Sequence, residues 1–260
     1  MPRDEGALFD QVAELYDRAR QGYPRALFDD LVALSTLPKG AAVLEIGCGT
    51  GQATRPLAER GYLITAVELG PNLAAVARRE LARFPDVVIH TSAFEEWPLP
   101  EQQFDLVMSA TAFHWLDPEA TLPKVASALK AGGAMAIFSY THVAGGDQRF
   151  FDDVQACYEQ HMPGTPPGLK LSPPDEIPVD TSAIDRSALF ESARHRRYVW
   201  ERTYTTRAYV DVLNTYSTHL ALSAEHREAL LRCVASLLDS GFGGRIRKAY
   251  MANLIVAKKR

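Results

Sequence analysis

No stretch of ~18 consecutive apolar residues occurs anywhere in the chain, which excludes a membrane-spanning helix. Behind Met1-Pro2-Arg3-Asp4-Glu5 there is no apolar run, so the start does not read as a signal peptide. Cysteine is scarce. Cys48, Cys157 and Cys233 form no CxxC pair and no metal-ligand spacing, and an odd count without a leader reads as three reduced thiols in a cytoplasmic protein. The seven histidines are scattered, with neither HxH nor HExxH, so no structural metal is expected. A basic excess is missing too: 28 Lys and Arg stand against 32 Asp and Glu. Such a surface has no field to collect phosphates, which argues against a nucleic-acid substrate, and Lys258-Lys259-Arg260 reads as a solvated terminus. Internal repeats and low-complexity tracts are absent. What remains, 47% hydrophobic and 23% charged over 260 residues, is ordinary globular composition for one large domain, or one with a small appendage.

Phe9, Val12, Ala13, Tyr16 and Ala19 recur at helical spacing, and a second helix is predicted from Pro24 to Leu37. The period then changes. Ala41 to Ile46 is a short apolar run ending in glycines, as a buried parallel strand would. Helices at 51–60, Pro71–Phe84 and 117–130 (closed by Gly132-Gly133) alternate with strands at Tyr62–Glu68, Val87–His90, Phe104–Ala110 and Ala134–Tyr140. Parallel neighbours need crossovers, so this alternation predicts a doubly wound α/β sheet. Beyond Tyr140 a helix is expected over Asp147–His161, followed by a proline-rich loop from Pro163 to Pro178. Arg196–Thr203 reads as a strand, Thr206–His219 and Ser223–Ser240 as helices, and Met251–Ala257 as a last strand.

The chemistry concentrates in Val43-Leu44-Glu45-Ile46-Gly47-Cys48-Gly49-Thr50-Gly51, a strand running into GxGxG. Glycines permit the tight bend and let a ligand lie against backbone at the switch point of an open sheet. A dinucleotide turn would place its third glycine where Gln52 stands. Glu45, on the strand itself, would repel a pyrophosphate and attract an ammonium. Glu68, at the end of the next strand and 21 residues past Gly47, suits two ribose hydroxyls. An ammonium beside one acid, a ribose beside another, and no phosphate describe S-adenosyl-L-methionine (S-adenosylmethionine).

Glu45 to Gly51 then resembles the first motif of class I S-adenosylmethionine-dependent methyltransferases, and Glu68 their ribose-binding acid. Ala93-Phe94-Glu95 is similar to the stretch that lines the adenine, Phe104–Ala110 to their fourth strand, and Leu129–Gly133 to their post-helix turn, with Ala131 where proline is commoner. Ala112–Asp117, Tyr16–Arg20 and Leu213–Ser217 resemble the trans-aconitate methyltransferase-like group, a broad one whose substrates differ. The resemblance implies a Rossmann-like α/β fold: a seven-stranded, mostly parallel sheet, last strand antiparallel, with helices on both faces. It places the cofactor site within 38–141, and helices at 7–37 together with 142–245 as a helical cap over the active site. It assigns Tyr16, Arg20, Glu45, Gly47, Cys48, Gly49, Gln52, Glu68, Leu69, Ala93, Phe94, Ala110 and Trp115 to the cofactor. His114 and Tyr216 are assigned to the acceptor, His114 also as a base.

A sulfonium methyl is already activated, so the enzyme's task is in-line placement, which contributes ~7–11 kcal/mol. A carboxylate acceptor would need no base; a phenol, alcohol or amine would use one. Structural readings stand beside these: His114 as a satisfied histidine, Tyr16 and Arg20 as packing one helical turn apart, and Arg194-His195-Arg196-Arg197 as a solvated strand edge. Ser109-Ala110-Thr111-Ala112 occupies the place of an Asn/Asp-Pro-Pro-aromatic motif for base amino groups, and no Pro-Cys pair is present, which favours a small-molecule acceptor. Two other functions remain open: an S-adenosylmethionine-binding accessory protein without turnover, and a nicotinamide-dependent oxidoreductase. The sequence sets no oligomeric state.

Overall fold

Alternate residues of the first strand, β1 (Ala42–Ile46), all find apolar cover: Val43 packs on one side, Leu44 and Ile46 on the other, each buried. That continuous burial is why the run carries no polar alternation. The computed structural model describes residues 4–260; Met1-Pro2-Arg3, part of the signal-peptide reading, lie outside the described residues. Further strands are β2 (Leu63–Glu68), β3 (Val87–Thr91), β4 (Phe104–Ala110), β5 (Leu129–Gly146), β6 (Arg194–Thr205) and β7 (Arg245–Lys258). They form one seven-stranded sheet in the order β3-β2-β1-β4-β5-β7-β6. β1 to β5 pair in parallel, and β7 runs antiparallel to both β5 and β6. Strand order reverses between β1 and β4, opening a crevice beyond their carboxyl ends.

Among the described residues twelve α-helices surround the sheet: α1 (Asp4–Gln11), α2 (Ala13–Ala19), α3 (Arg25–Ser35), α4 (Thr54–Ala58), α5 (Pro71–Glu80), α6 (Pro118–Ala128), α7 (Gln148–Asp153), α8 (Gln155–His161), α9 (Ser182–Arg186), α10 (Thr206–Leu213), α11 (Ser217–Leu220) and α12 (Ala224–Gly241). Leu27, Phe28 and Leu31 of α3 pack on one face with Val43, Leu106 and Phe138; Leu122 and Val125 of α6 pack on the other with Leu44 and Val107. Each such side chain contributes roughly 1.5–3 kcal/mol by leaving water. A third cluster, with Phe150, Cys157, Tyr209, Leu230 and Val234, joins α7, α8, α10 and α12 over Tyr204 and Tyr250 of the outer strands.

Several elements differ from their sequence-based bounds. The first predicted helix is interrupted at Val12, and that over 147–161 is interrupted at Val154. The helix expected at 51–60 shrinks to α4, because Gly51 sits at φ +89 and belongs to the turn. The helix expected over 206–219 stops at Leu213. Just beyond, the Thr215 hydroxyl donates to the Val212 carbonyl (2.6 Å) and accepts from Arg20 (2.8 Å). β5 begins at Leu129, so Gly132 and Gly133 lie within the strand's span instead of closing a helix.

The thiols require a correction. Cys157 of α8 and Cys233 of α12 are joined in a disulfide with Cα atoms 5.8 Å apart, and Cys48 alone is free among the described residues. Helix packing brings together two residues 76 positions apart, which linear spacing does not show. With that bond, the thiol argument for a cytoplasmic, reducing setting no longer stands. Among the described residues no helix is long and apolar enough to cross a membrane.

Candidate active site

The turn after β1 is fixed by backbone. Gly47 N–H donates to the Val67 carbonyl of β2 (2.8 Å) and Gly51 N–H to the Cys48 carbonyl (2.9 Å). Gly47 adopts φ +71, and a Cβ there would lie 2.5 Å from the Ala112 side chain; only glycine meets both constraints. A cavity of about 380 Å³ opens over this turn, at the switch point.

Two carboxylates face it. Glu45 is fully buried. One of its oxygens accepts from the Thr54 hydroxyl (2.6 Å), and the other has no partner. Burial pushes this carboxyl up to about 7; the Thr54 bond opposes the rise and the nearby Glu68 charge adds to it. A buried, half-satisfied acid in a cavity wall calls for a cation. Glu68, at the end of β2, accepts from Gly49 N–H and from Gly70 N–H, both at 2.8 Å. Burial raises its pKa, while the Gly70 and Gly49 N–H groups work in the opposite direction. Each of its oxygens keeps a second lone pair for a hydroxyl donor.

The N-terminal segment closes the cavity from the front. The Asp10 carboxylate accepts from the backbone N–H groups of Asn72 (2.7 Å) and Leu73 (2.9 Å), capping α5 from a different helix. The Phe9 ring lies edge-on to Trp115, with centroids 6.3 Å apart. Arg20 donates from Nε to the Thr215 hydroxyl (2.8 Å), from Nη1 to the Tyr140 hydroxyl (2.5 Å) and from Nη2 to the Thr215 carbonyl (2.8 Å). The rings of Tyr16 and Tyr216 lie 5.0 and 4.5 Å from its guanidinium carbon.

Every residue expected around the cofactor lines this cavity: Tyr16, Arg20, Glu45, Gly47, Cys48, Gly49, Gln52, Glu68, Leu69, Ala93, Phe94, Ala110 and Trp115. His114 lines it as well, on the one-turn 3-10 helix Phe113–Trp115, its ring 4.6 Å from that of Trp115. Tyr216 does not; it lines a second, adjoining cavity. Sequence reasoning missed Asp10, Tyr23, Thr111 and Tyr140, which line the first cavity too. Thr111 holds an unusual backbone, φ +53, and its hydroxyl pairs with that of Tyr23. Burial raises the Cys48 thiol well above its usual range, so it is not a thiolate nucleophile.

Residues 44–137 match the family described as a methyltransferase domain. Over 136 residues the chain is 37% identical to an uncharacterised methyltransferase of Mycobacterium tuberculosis, covering 52% of this chain and 53% of that protein. Over 141 residues it is 31% identical to an uncharacterised methyltransferase of a Geobacillus species, covering 51% and 65%. The chain thus spans about half to two thirds of the length of these curated relatives. Among solved structures, a protein of Anaeromyxobacter dehalogenans provisionally described as a type II methyltransferase superposes with TM-score 0.63 at 22% identity, covering 92% of this chain and 97% of that one. A Haemonchus contortus phosphoethanolamine N-methyltransferase, bound to phosphomonomethylethanolamine and S-adenosylhomocysteine, gives 0.53 at 18%, covering 96% and 57%. At these identities the superpositions establish the fold, which is Rossmann-like and shared with the methyltransferases.

Proposed function

We propose that this chain, which carries a class I S-adenosylmethionine-dependent methyltransferase domain over residues 44–137, transfers a methyl group to a small-molecule acceptor. The observation that carries the reading is the unpartnered, fully buried oxygen of Glu45 in the wall of a cavity built on a glycine turn. It fits an ammonium, a group that a nicotinamide dinucleotide lacks.

S-adenosylmethionine, when bound, supplies a methyl already activated by its sulfonium. The chain's own residues bind and orient. Glu45 balances the ammonium, Glu68 accepts from the ribose hydroxyls, and Ala93 and Phe94 flank the adenine. Gly47, Cys48, Gly49 and Gln52 offer backbone close to the ligand, while Leu69, Ala110 and Trp115 complete the walls. Tyr16 and the two N–H groups of Arg20 not already engaged face the carboxylate. That methyl would go to the acceptor's lone pair as the carbon–sulfur electron pair stays on sulfur, leaving S-adenosylhomocysteine as the product. His114, in the wall of the first cavity, would take a proton from a phenol or alcohol acceptor. The excess of acidic over basic residues and the absence of an Asn/Asp-Pro-Pro-aromatic motif support a small molecule, a carboxylic acid among the candidates, over a nucleic acid.

Calorimetric titration with S-adenosylhomocysteine and NADH, paired with label transfer from methyl-labelled S-adenosylmethionine to a library of acids and phenols, tests this. Binding of S-adenosylhomocysteine with transfer to some acceptor is expected. Tight NADH binding alone would sink the proposal, and binding without any transfer would favour an accessory protein.

A further inference from the structure

A second cavity, about 620 Å³, adjoins the first and shares Arg20, Thr111 and Tyr140 with it. Its floor is the length of β5 and β7 that runs past the inner strands. Tyr140 pairs with Ala252, His142 with Tyr250, and Lys248 with Gly146 after a bulge. Residues two apart on a strand face the same way, so Tyr140 and His142 on β5, with Lys248 and Tyr250 on β7, share one side of the sheet. Ala252 to Lys248 is four strand residues, or ~14 Å at about 3.4 Å each. Lys248 therefore stands well beyond the border with the first cavity.

Lys248 is only 4% exposed. Among the described residues, no hydrogen bond or ion pair reaches its ammonium; only the rings of Phe151 (4.6 Å), Tyr209 (5.6 Å) and Tyr250 (5.8 Å) approach it. Cation–π contact offsets part of the lost hydration, not all of it. The polar groups around it are otherwise spoken for. His142 Nε2 is 3.1 Å from the Tyr216 hydroxyl and His219 Nε2 is 3.2 Å from the Tyr158 hydroxyl. Burial, first, and the charges of Lys248 and Arg20 keep both histidines neutral. Arg20, at the border, is held through one N–H on each nitrogen, and its two remaining N–H groups serve the cofactor's carboxylate on the reading above. Of the three cations that line the chamber, Lys170 is exposed to water and Arg20 lies at the border, so Lys248 is the buried one left without a counter-charge, among the rings of Phe151, Tyr209 and Tyr216.

We infer that this second chamber is the acceptor site and that the acceptor bears a carboxylate, seated on Lys248, at the end remote from the atom that takes the methyl. The inference rests on the methyltransferase reading above. One buried cation, with Arg20 given to the cofactor and Lys170 to solvent, matches a monoanion; a protonated amine would be repelled, and a phosphate dianion would bring a second charge into the buried end. The remaining length of the chamber, from Lys248 to Thr111, suits an apolar or aromatic spacer that delivers a nucleophile to the shared border.

The probes are phenylacetate, 3-phenylpropionate and 4-phenylbutyrate, each against its primary amide, with phenyl phosphate as a third arm. Binding is measured to the full chain saturated with S-adenosylhomocysteine. At least one acid is expected to bind about tenfold or more tightly than its amide. In Lys248→Met that preference should fall below about twofold, while Lys248→Arg keeps most of it. S-adenosylhomocysteine affinity, unchanged in both variants, certifies the fold. Acids no better than amides at every length, a preference that survives Lys248→Met, or stronger binding of phenyl phosphate would each overturn the inference. Failure of the wild-type protein to bind S-adenosylhomocysteine would instead strike the first cavity's reading, and the acid-to-amide comparison without it would still read the chamber.

Discussion

The two cavities hold opposite problems. The first keeps a buried acid, Glu45, short of one partner; the second keeps a buried base, Lys248, with none but rings. Burial moves both toward neutrality, the carboxyl up to about 7 and the ammonium down to about 7. They are also made differently. The first is founded on backbone bent by glycines within a few consecutive residues, Gly47 to Gly51, with side chains from Phe9 to Tyr140 around that turn. The second is assembled from side chains that come from strands, helices and loops spread from Arg20 to Lys248. A site made of local backbone is written in a motif; a site made of distant side chains is written only in the packing.

The largest expected effect separates the two. Glu45→Gln should weaken S-adenosylmethionine binding by about 2–4 kcal/mol, roughly 30- to 900-fold, since it removes one charge of a buried pair. Affinity within threefold of wild type in calorimetry would mean that the ammonium lies elsewhere. Next is the staple that ties α12 to α8, whose Gln155 and Tyr158 line the second cavity. Cys157→Ser with Cys233→Ser should cost about 2–4 kcal/mol in unfolding, the range for long closed loops, while cofactor affinity stays within twofold. A parallel loss of cofactor binding would show the two halves to be one cooperative site. Glu68→Ala should weaken cofactor binding by ~1–3 kcal/mol through loss of charge-assisted hydrogen bonds. That residue also loses its hold on the Gly49 and Gly70 N–H groups, so faster hydrogen exchange there should accompany the weaker titration.

The smallest effect is in pH dependence, and its sign differs between the cavities. Glu45 has a folded pKa of about 7 against an ordinary 4.5. Its contribution to ligand-free stability is full below 4.5 and lost as pH rises through 7. Lys248 has a folded value of about 7 against 10.5, so its contribution is full above 10.5 and lost as pH falls through 7. Both therefore weigh most heavily near neutrality. Glu45→Gln should flatten the thermal-stability profile between pH 4.5 and 7, and Lys248→Met that between 7 and 10.5, each raising the ligand-free midpoint at pH 7 by a few degrees. Profiles parallel to wild type would mean that neither group is desolvated as the structure has it.

Legibility followed the same division. The five inner strands and the turn at Gly47 were readable because burial and glycine punctuation are properties of short segments. Glu45 and Glu68 followed from their offsets to that turn. Asp10 was invisible as a cap because its helix is α5, some sixty residues on. Thr111 gave no sign of its left-handed backbone. The Cys157–Cys233 bond needed two helices to meet. Lys248 did leave a trace: it occupies an inward position in Ile246, Lys248, Tyr250, Ala252, where alternation calls for an apolar side chain. A lysine there is either an error of register or a charge with a purpose, and the sheet register excludes the former.

Arg20 belongs to the front wall of one chamber and to the partition between both, held to Tyr140 and Thr215. One segment cannot move for one visitor without disturbing the other. On the proposed methyl transfer, the two ligands are therefore expected to bind in a set order. Initial-rate plots should intersect, as ternary-complex kinetics require, and product inhibition should show the acceptor arriving second and its methylated form leaving first.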